Sequence, residues 1–168
     1  MAHKQWPPRN LTTIKENLDR LADSVTNRPE ERPDDDHIWL TRFLVVRTCG
    51  YLEQATFETT RTYVTEKSGG PVQTFAISWL TKSRNPTPDN LIDLVSRFGP
   101  QLEENFRTFL EDEDQRLHRE ISFLVDRRNK IAHGMNEGIN TRKALDLKGD
   151  AELVADWFIT YLNPDRTT

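Results

Sequence analysis

The sequence predicts an all-α fold, an antiparallel helical bundle built around two long helices. Apolar residues recur at steps of three and four residues along most of the chain, which is the period of a helix. The seven glycines and nine prolines are too few for a sandwich with many turns, and no segment is typical of a short strand. We assign residues 1–168 to one domain, because a chain of this length buries a sufficient core without splitting.

The first two helices are predicted from their apolar positions and their boundaries. In the first helix, Thr13 and Glu16 have the spacing of a capping box, and Pro29 follows its end. The second helix should run from about Asp36 to Lys67, after an acidic loop that favours a helix N-terminus. The apolar stripe of the first helix consists of Leu11, Ile14, Leu18, Leu21 and Val25.

Two features of the second helix predict how it packs. Its Phe43–Val46 run is apolar on every side, which indicates a buried central helix. Gly50 in mid-helix costs about 1 kcal/mol relative to Ala, so we expect it to permit the close approach of a neighbouring helix.

Two short helices should follow the second helix. The first contains Phe75 to Leu80 and ends before Pro86. Thr87 and Pro88 supply an N-cap and a first-turn proline for the second, which carries Leu91 to Phe98.

The second long helix is predicted from about Gln101 to Ala132, with Gly134 as its C-terminal stop. The acidic run from Glu111 to Asp114 interrupts its apolar stripe and is expected to be solvated. A last amphipathic helix should run from about Asp150 to Leu162, packing Leu153, Val154, Trp157, Phe158 and Tyr161. The tryptophans are expected in the core rather than as platforms for bases: Trp39, Trp79 and Trp157.

Cysteine content and hydropathy indicate a soluble, cytoplasmic protein that does not associate with membranes. The single cysteine, Cys49, excludes an internal disulfide and fits a reducing compartment, where we expect it to be a buried small hydrophobe. Residues 1–10 have no apolar region typical of a signal peptide, and no stretch approaches the 18 apolar residues of a membrane span.

Charge is distributed unevenly along the chain. The net charge of −4 argues against tight, nonspecific binding of nucleic acid. Residues 115–148, however, contain eight Lys/Arg against four Asp/Glu, a local charge of +4, which leaves −8 for the remainder. A basic neighbourhood on an acidic body suits recognition of one polyanion at one place.

Most catalytic templates are missing from the sequence. It has no glycine-rich phosphate loop, no paired cysteines and no His-Glu-x-x-His motif, and its four histidines (His3, His37, His118 and His133) are scattered. We therefore predict no metal site and no cofactor.

The segment from Arg128 to His133 is the candidate site. Arg128 falls in the middle of the apolar stripe of the second long helix, where a guanidinium needs a carboxylate, a phosphate or a subunit interface to offset its desolvation. A structural ion pair, for example with Glu53, is one reading. His133 lies at the helix C-terminus, which favours a protonated imidazole, and the Asn129 amide, four residues earlier, could orient the ring.

Arg, Asn and His together supply what RNA transesterification requires without a metal. One group exchanges protons with the 2′-OH or the leaving 5′-oxygen, and one spreads positive charge over the phosphorane. On a straight helix Arg128 and His133 are about 140° apart, so two chains facing across a two-fold axis would assemble the site better than one.

The sequence from Arg128 to His133 resembles the Arg-x4-6-His motif of HEPN domains, with the polar Asn129 that often follows the Arg. The Phe43–Glu53 segment is similar to the branch named for RiboL-PSP-associated HEPN proteins. The resemblance covers roughly residues 35–162.

The resemblance implies a homodimer whose cleft contains both motifs, with single-stranded RNA or a tRNA loop as substrate and products ending in 2′,3′-cyclic phosphate. It also implies a toxin or phage-defence role, with a possible antitoxin or regulatory protein. Arg128 would stabilise the scissile phosphate and His133 would be the acid/base. HEPN toxins neutralised by a nucleotidyltransferase usually carry Tyr two residues after the His, whereas this chain has Met135, so control through AMPylation of that Tyr is not expected.

Further basic residues are candidate substrate contacts, namely Arg127, Lys130 and Arg47. For Arg47, an internal salt bridge or a snorkelling side chain is the alternative to a phosphate contact. For the whole protein, two alternatives to the nuclease remain. One is a HEPN-fold module that binds RNA, nucleotide or a partner protein without cleaving, and the other is a helical scaffold in which Arg128 is structural.

Overall fold

The computed structural model describes residues 5–135 and 138–166, and the regular structure within these ranges is entirely helical. This confirms the all-α fold, and the two longest helices are those predicted to organise the bundle. In chain order the helices are α1 (Arg9–Thr26), α2 (Asp34–Lys67), α3 (Gly70–Ser78), α4 (Pro88–Ser96), α5 (Pro100–Ala132) and α6 (Thr141–Tyr161).

Prolines set the N-termini of α1 and α3, and both helices begin earlier than predicted. Helix α1 starts directly after Pro8, and the Thr13 hydroxyl donates to the Arg9 carbonyl inside the helix at 3.2 Å. The predicted capping box is therefore wrong. Helix α3 starts at Gly70, five residues before Phe75, because Pro71 in its first turn has a backbone preset for a helix.

The caps of α4 and α6 illustrate a predicted and an unpredicted boundary. Thr87 caps α4 as predicted, since its hydroxyl accepts from the Asn90 backbone N–H at 3.2 Å. Helix α6 starts at Thr141, nine residues before the predicted Asp150, because the Asn140 side chain accepts from the Lys143 N–H at 2.8 Å.

Helix α2 is the central element, in contact with α1, α3, α5 and α6. Leu44 and Val45 are fully buried, as predicted, but Phe43 is 51% exposed. The prediction for Gly50 is also wrong within this chain, since a Cβ there would meet no atom within 4 Å.

The core includes an aromatic cluster between α5 and α6. Trp157 packs against Phe106, with ring centroids 4.5 Å apart, and donates its indole N–H to the Asn105 side chain at 3.1 Å. The prediction of a core tryptophan is right for Trp157 (5% exposed) and wrong for Trp39 (62%) and Trp79 (66%), and Leu153 of α6 is also exposed.

Helix α5 is broken at its acidic run. Asp112 is extended, and Glu113, Asp114 and Gln115 have φ of 52°, 57° and 61°, in the left-handed region. The run is exposed, as predicted, but sequence analysis did not expect the backbone to leave the helix there. Arg116 donates to the Glu113 carboxylate at 2.6 Å, and Arg119 donates to the Asp114 carbonyl, so two arginines hold the turn.

Among the described residues, no helix is long and apolar enough to cross a membrane.

Candidate active site

The candidate site lies on the C-terminal half of α5, which a tight turn terminates. Gly134 has φ +73°, and its N–H donates to the Ile131 carbonyl at 3.0 Å. The Met135 N–H donates to the Lys130 carbonyl at 2.9 Å. This pair of bonds is a Schellman motif, which favours glycine at the left-handed position, so the predicted stop at Gly134 is confirmed. The motif leaves His133 as the C-cap residue of α5.

Arg128 is half-buried between α5, α2 and the loop before α4. Its Nη2 donates to the Asn85 side-chain oxygen at 2.5 Å. Its guanidinium also lies beside the buried Cys49 thiol of α2. Its Nε is shielded from solvent and has no hydrogen-bond partner among the described residues. The contacts of Arg128 are therefore with neutral groups.

Glu53 does not pair with Arg128, contrary to one reading of the sequence. No ion pair of 4.0 Å or less joins the two among the described residues, and the Glu53 carboxylate instead accepts from the Ser83 hydroxyl at 2.5 Å. Glu53 lies one turn of α2 after Cys49, and its carboxylate raises the pKa of the Cys49 thiol. Glu53 therefore lies near Cys49, which Arg128 contacts, but does not neutralise the Arg128 guanidinium.

The electrostatics at Cys49 follow from burial. Burial raises the pKa of the Cys49 thiol, the adjacent Arg128 guanidinium opposes this, and the Glu53 carboxylate adds to the rise. The thiol stays protonated and behaves as a buried small hydrophobe, as predicted.

His133 and Asn129 do not converge with Arg128 within one chain. His133 is exposed, whereas Arg128 is half-buried and directed toward α2. The His133 backbone N–H donates to the Asn129 carbonyl at 3.0 Å. No hydrogen bond between the Asn129 amide and the His133 ring is found in the described part of the chain.

The other predicted cations point in different directions. The Arg127 guanidinium covers the Phe123 ring at 4.6 Å, and Lys130 pairs with Asp126 at 3.1 Å. Arg47 is exposed on α2, about 160° around the helix from Cys49, and has no ion pair among the described residues. The structure does not bring Arg47 together with Arg128.

Ion pairs offset much of the basic neighbourhood predicted over residues 115–148. Lys143 pairs with Glu120 at 2.5 Å, and Lys148 pairs with Asp19 at 2.7 Å and with Glu152. Arg116 pairs with the buried Asp150. Arg128, by contrast, contacts the neutral Asn85 and Cys49.

No group of three or more His, Cys, Asp and Glu side chains within residues 5–135 and 138–166 could hold a metal ion. One chain holds a cation, Arg128, and an exposed imidazole, His133, that do not meet.

Sequence reasoning missed the loop residues of the site. Asn85 and Ser83 approach Arg128 and Glu53 from the connection between α3 and α4. Helical periodicity carries no information on a loop side chain. The only available signal was a polar Ser-Arg-Asn stretch before Pro86, which is equally typical of a solvated turn.

Comparison with models of protein families identifies the family of this chain. No curated protein and no solved structure matches the chain. The family model described as RiboL-PSP-HEPN matches residues 9–163, which includes every helix from α1 to α6. The motif at the end of α5 lies within that match, and the chain belongs to the RiboL-PSP-HEPN family.

Proposed function

We propose that this protein is a metal-independent endoribonuclease that acts as a toxin or in phage defence. The observation that carries the proposal is that the half-buried Arg128 guanidinium has only neutral contacts among the described residues. A half-buried guanidinium held by the neutral Asn85 and Cys49 keeps its full charge available, and a phosphodiester would supply the missing counter-charge.

The proposed chemistry needs only groups of the protein and of RNA. A 2′-OH attacks the adjacent phosphorus as His133 accepts its proton, and the P–O5′ bond breaks as an imidazolium protonates the leaving oxygen. The products are a 2′,3′-cyclic phosphate and a 5′-OH. Arg128 stabilises the negative charge that develops on the phosphorane oxygens.

A second copy of the chain would complete the site. Trp39 and Phe43 are 62% and 51% exposed, and they share a face of α2 with Gly50, where a Cβ would meet nothing. This face is about 100° around the helix from Cys49, which contacts Arg128. We propose that a partner chain docks on this face, and a homodimer could supply an imidazole from each subunit.

The test is the effect of His133→Ala on cleavage and on stability. Because His133 is exposed, we expect the change to cost less than about 1 kcal/mol of unfolding free energy. If the imidazole is the acid/base, RNA cleavage should slow by about 10²–10⁴-fold. His118→Ala, which removes another histidine of α5 nearly three turns before the motif, is the matched control and should leave cleavage unchanged.

Cleavage assays and thermal melts on the three proteins, with and without EDTA, decide between the readings. Activity that survives EDTA and is lost only in His133→Ala supports the proposal. A folded His133→Ala protein that cleaves as fast as the parent would rule out His133 as the acid/base, and a parent that does not cleave RNA would leave a module that binds RNA, nucleotide or a partner protein. Activity abolished by EDTA and restored by Mg²⁺ would mean that the chemistry is different.

A further inference from the structure

A groove of about 570 Å³ lies between α2, α3 and α4, and Asn85, the hydrogen-bond partner of Arg128, is part of its lining. This volume is in the range that accommodates a small organic ligand. Asn85, which holds the Arg128 guanidinium, also lines the groove. The groove and the candidate active site therefore share a residue and are contiguous.

The wall formed by α3 is aromatic and exposed. Phe75 and Trp79 line the groove, are 68% and 66% exposed, and meet edge to face with ring centroids 6.3 Å apart. None of the residues of α3 is buried. Exposed aromatic pairs of this kind are typical of binding surfaces, and an indole face stacks on any nucleobase.

The charge of the groove favours an anion. Lys82, Arg84 and Arg97 line it, and no carboxylate from the described part of the chain does. Asp93, which lies outside the groove, pairs with Arg84 at 2.7 Å and with Arg97 at 3.1 Å, so three cations are offset by one acid. A purely apolar ligand would gain nothing from these cations.

A buried polar group in the groove has no partner. Thr60 lines the groove, is 1% exposed, and its hydroxyl makes no hydrogen bond among the described residues. Buried hydroxyls are normally satisfied, and a ligand with hydrogen-bonding edges would satisfy this one. A nucleobase combines such an edge with an aromatic face.

We infer that the groove binds one unpaired nucleotide of an RNA strand, next to the phosphodiester at Arg128. The base stacks on Trp79 and Phe75, and Lys82 contacts a phosphate. The inference rests on the proposed function, because the nucleotide in the groove belongs to the strand that is cut. It accounts together for the aromatic wall, the unbalanced cations and the shared Asn85.

The test compares two labelled oligonucleotides in fluorescence anisotropy titrations. One is a short 2′-O-methyl oligoribonucleotide, which cannot be cleaved by transesterification, and the other has the same backbone without bases. Trp79→Ala should weaken binding of the first by about 5- to 100-fold, the range for loss of one base–aromatic stack, and leave the second unchanged. Lys82→Gln should weaken both.

Matched controls come from neighbouring exposed positions outside the groove. Val72 of α3 is 68% exposed and does not line the groove, so Val72→Ala should bind both probes like the parent. Lys67→Gln, at the end of α2, is the control for charge. Trp79 is exposed, so its removal should leave the thermal melt close to that of the parent.

The possible outcomes separate this inference from the nuclease proposal. Equal affinities of the parent and Trp79→Ala for the oligonucleotide with bases would overturn the groove site, even if the protein cleaves RNA through His133. Binding that depends on Trp79 in a protein without cleavage activity would keep the groove and end the nuclease assignment. A change of oligomeric state in Trp79→Ala would assign the groove to a protein contact and overturn the inference.

Discussion

At the scale of single residues, the partners of Arg128 distinguish a structural guanidinium from one available to a ligand. Two arginines of α5 illustrate the difference. Arg116 pairs with the buried Asp150, whereas Arg128 meets Asn85 and Cys49. Removing one member of a buried pair leaves a charge without compensation, but removing Arg128 leaves only neutral groups.

We therefore expect Arg128→Gln to change the unfolding free energy by no more than about 1 kcal/mol, the value of one hydrogen bond. Cleavage should fall by about 10²–10³-fold, as for loss of an oxyanion-stabilising group. Denaturant unfolding and RNA cleavage are the two measurements.

The control for this substitution is Arg116→Gln. It strands the Asp150 carboxylate, 8% exposed, and should cost more stability, about 1–3 kcal/mol, while leaving cleavage less affected. An Arg128→Gln protein that loses as much stability as Arg116→Gln would indicate a carboxylate partner and a structural role for Arg128.

At the scale of helices, the boundaries predicted from the sequence were right where a local signal acts alone. Thr87 and Gly134 are such signals, because a capping hydroxyl and a left-handed glycine determine the backbone whatever packs around them. The start of α6 was not predicted, because the prediction rested on the apolar positions of the helix and not on the Asn140 cap. The break in α5 had only a weak sequence signal, because two of its four residues, Glu113 and Gln115, are of types that favour a helix.

The left-handed turn in α5 predicts a stabilising substitution. Gln115 is exposed and has φ 61°, a conformation that costs a residue with a Cβ about 1–2 kcal/mol. Gln115→Gly should therefore raise the unfolding free energy by about 0.5–1 kcal/mol, after allowing for the greater freedom of glycine in the unfolded chain.

The matched control is Glu104→Gly, at an exposed position in the regular N-terminal part of α5, which should lower stability by about 1 kcal/mol. Urea unfolding of both variants measures the difference. Destabilisation by Gln115→Gly as large as that by Glu104→Gly would show that α5 is a regular helix at Gln115 in solution.

At the scale of the whole molecule, the sequence shows which residues are apolar but not what each apolar face contacts. Trp157 is in the core, whereas Trp39, Phe43 and Trp79 are exposed. Periodicity indicates that one face of a helix is apolar. It does not distinguish a face that packs in the core from one that binds a partner chain or a ligand. The Arg128 motif was visible in sequence, but its Asn85 partner depended on a loop brought from elsewhere in the chain.

The exposed face of α2 predicts the assembly state. Phe43→Glu should convert a dimer into a monomer, because it buries a charge at the proposed interface, and it should abolish cleavage while preserving helical content. Light scattering at micromolar concentration, circular dichroism and RNA cleavage are the measurements.

Leu153→Glu, at a residue of α6 that is 47% exposed, is the control and should leave the dimer intact. A parent that is monomeric at micromolar concentration, or a Phe43→Glu protein that still dimerises, would rule out this face as the subunit contact.

The stability of the turn in α5 should depend on ionic strength. Arg116 and Glu113, which hold the turn, are 37% and 67% exposed, so dissolved ions screen their attraction, with a Debye length of about 10 Å at 0.1 M salt. Added salt weakens this contact while the cost of the left-handed backbone stays the same. The half of α5 that carries Arg128 begins directly after the turn, so its alignment becomes sensitive to salt. Gln115→Gly would reduce that sensitivity, because one of the three left-handed residues would no longer cost free energy.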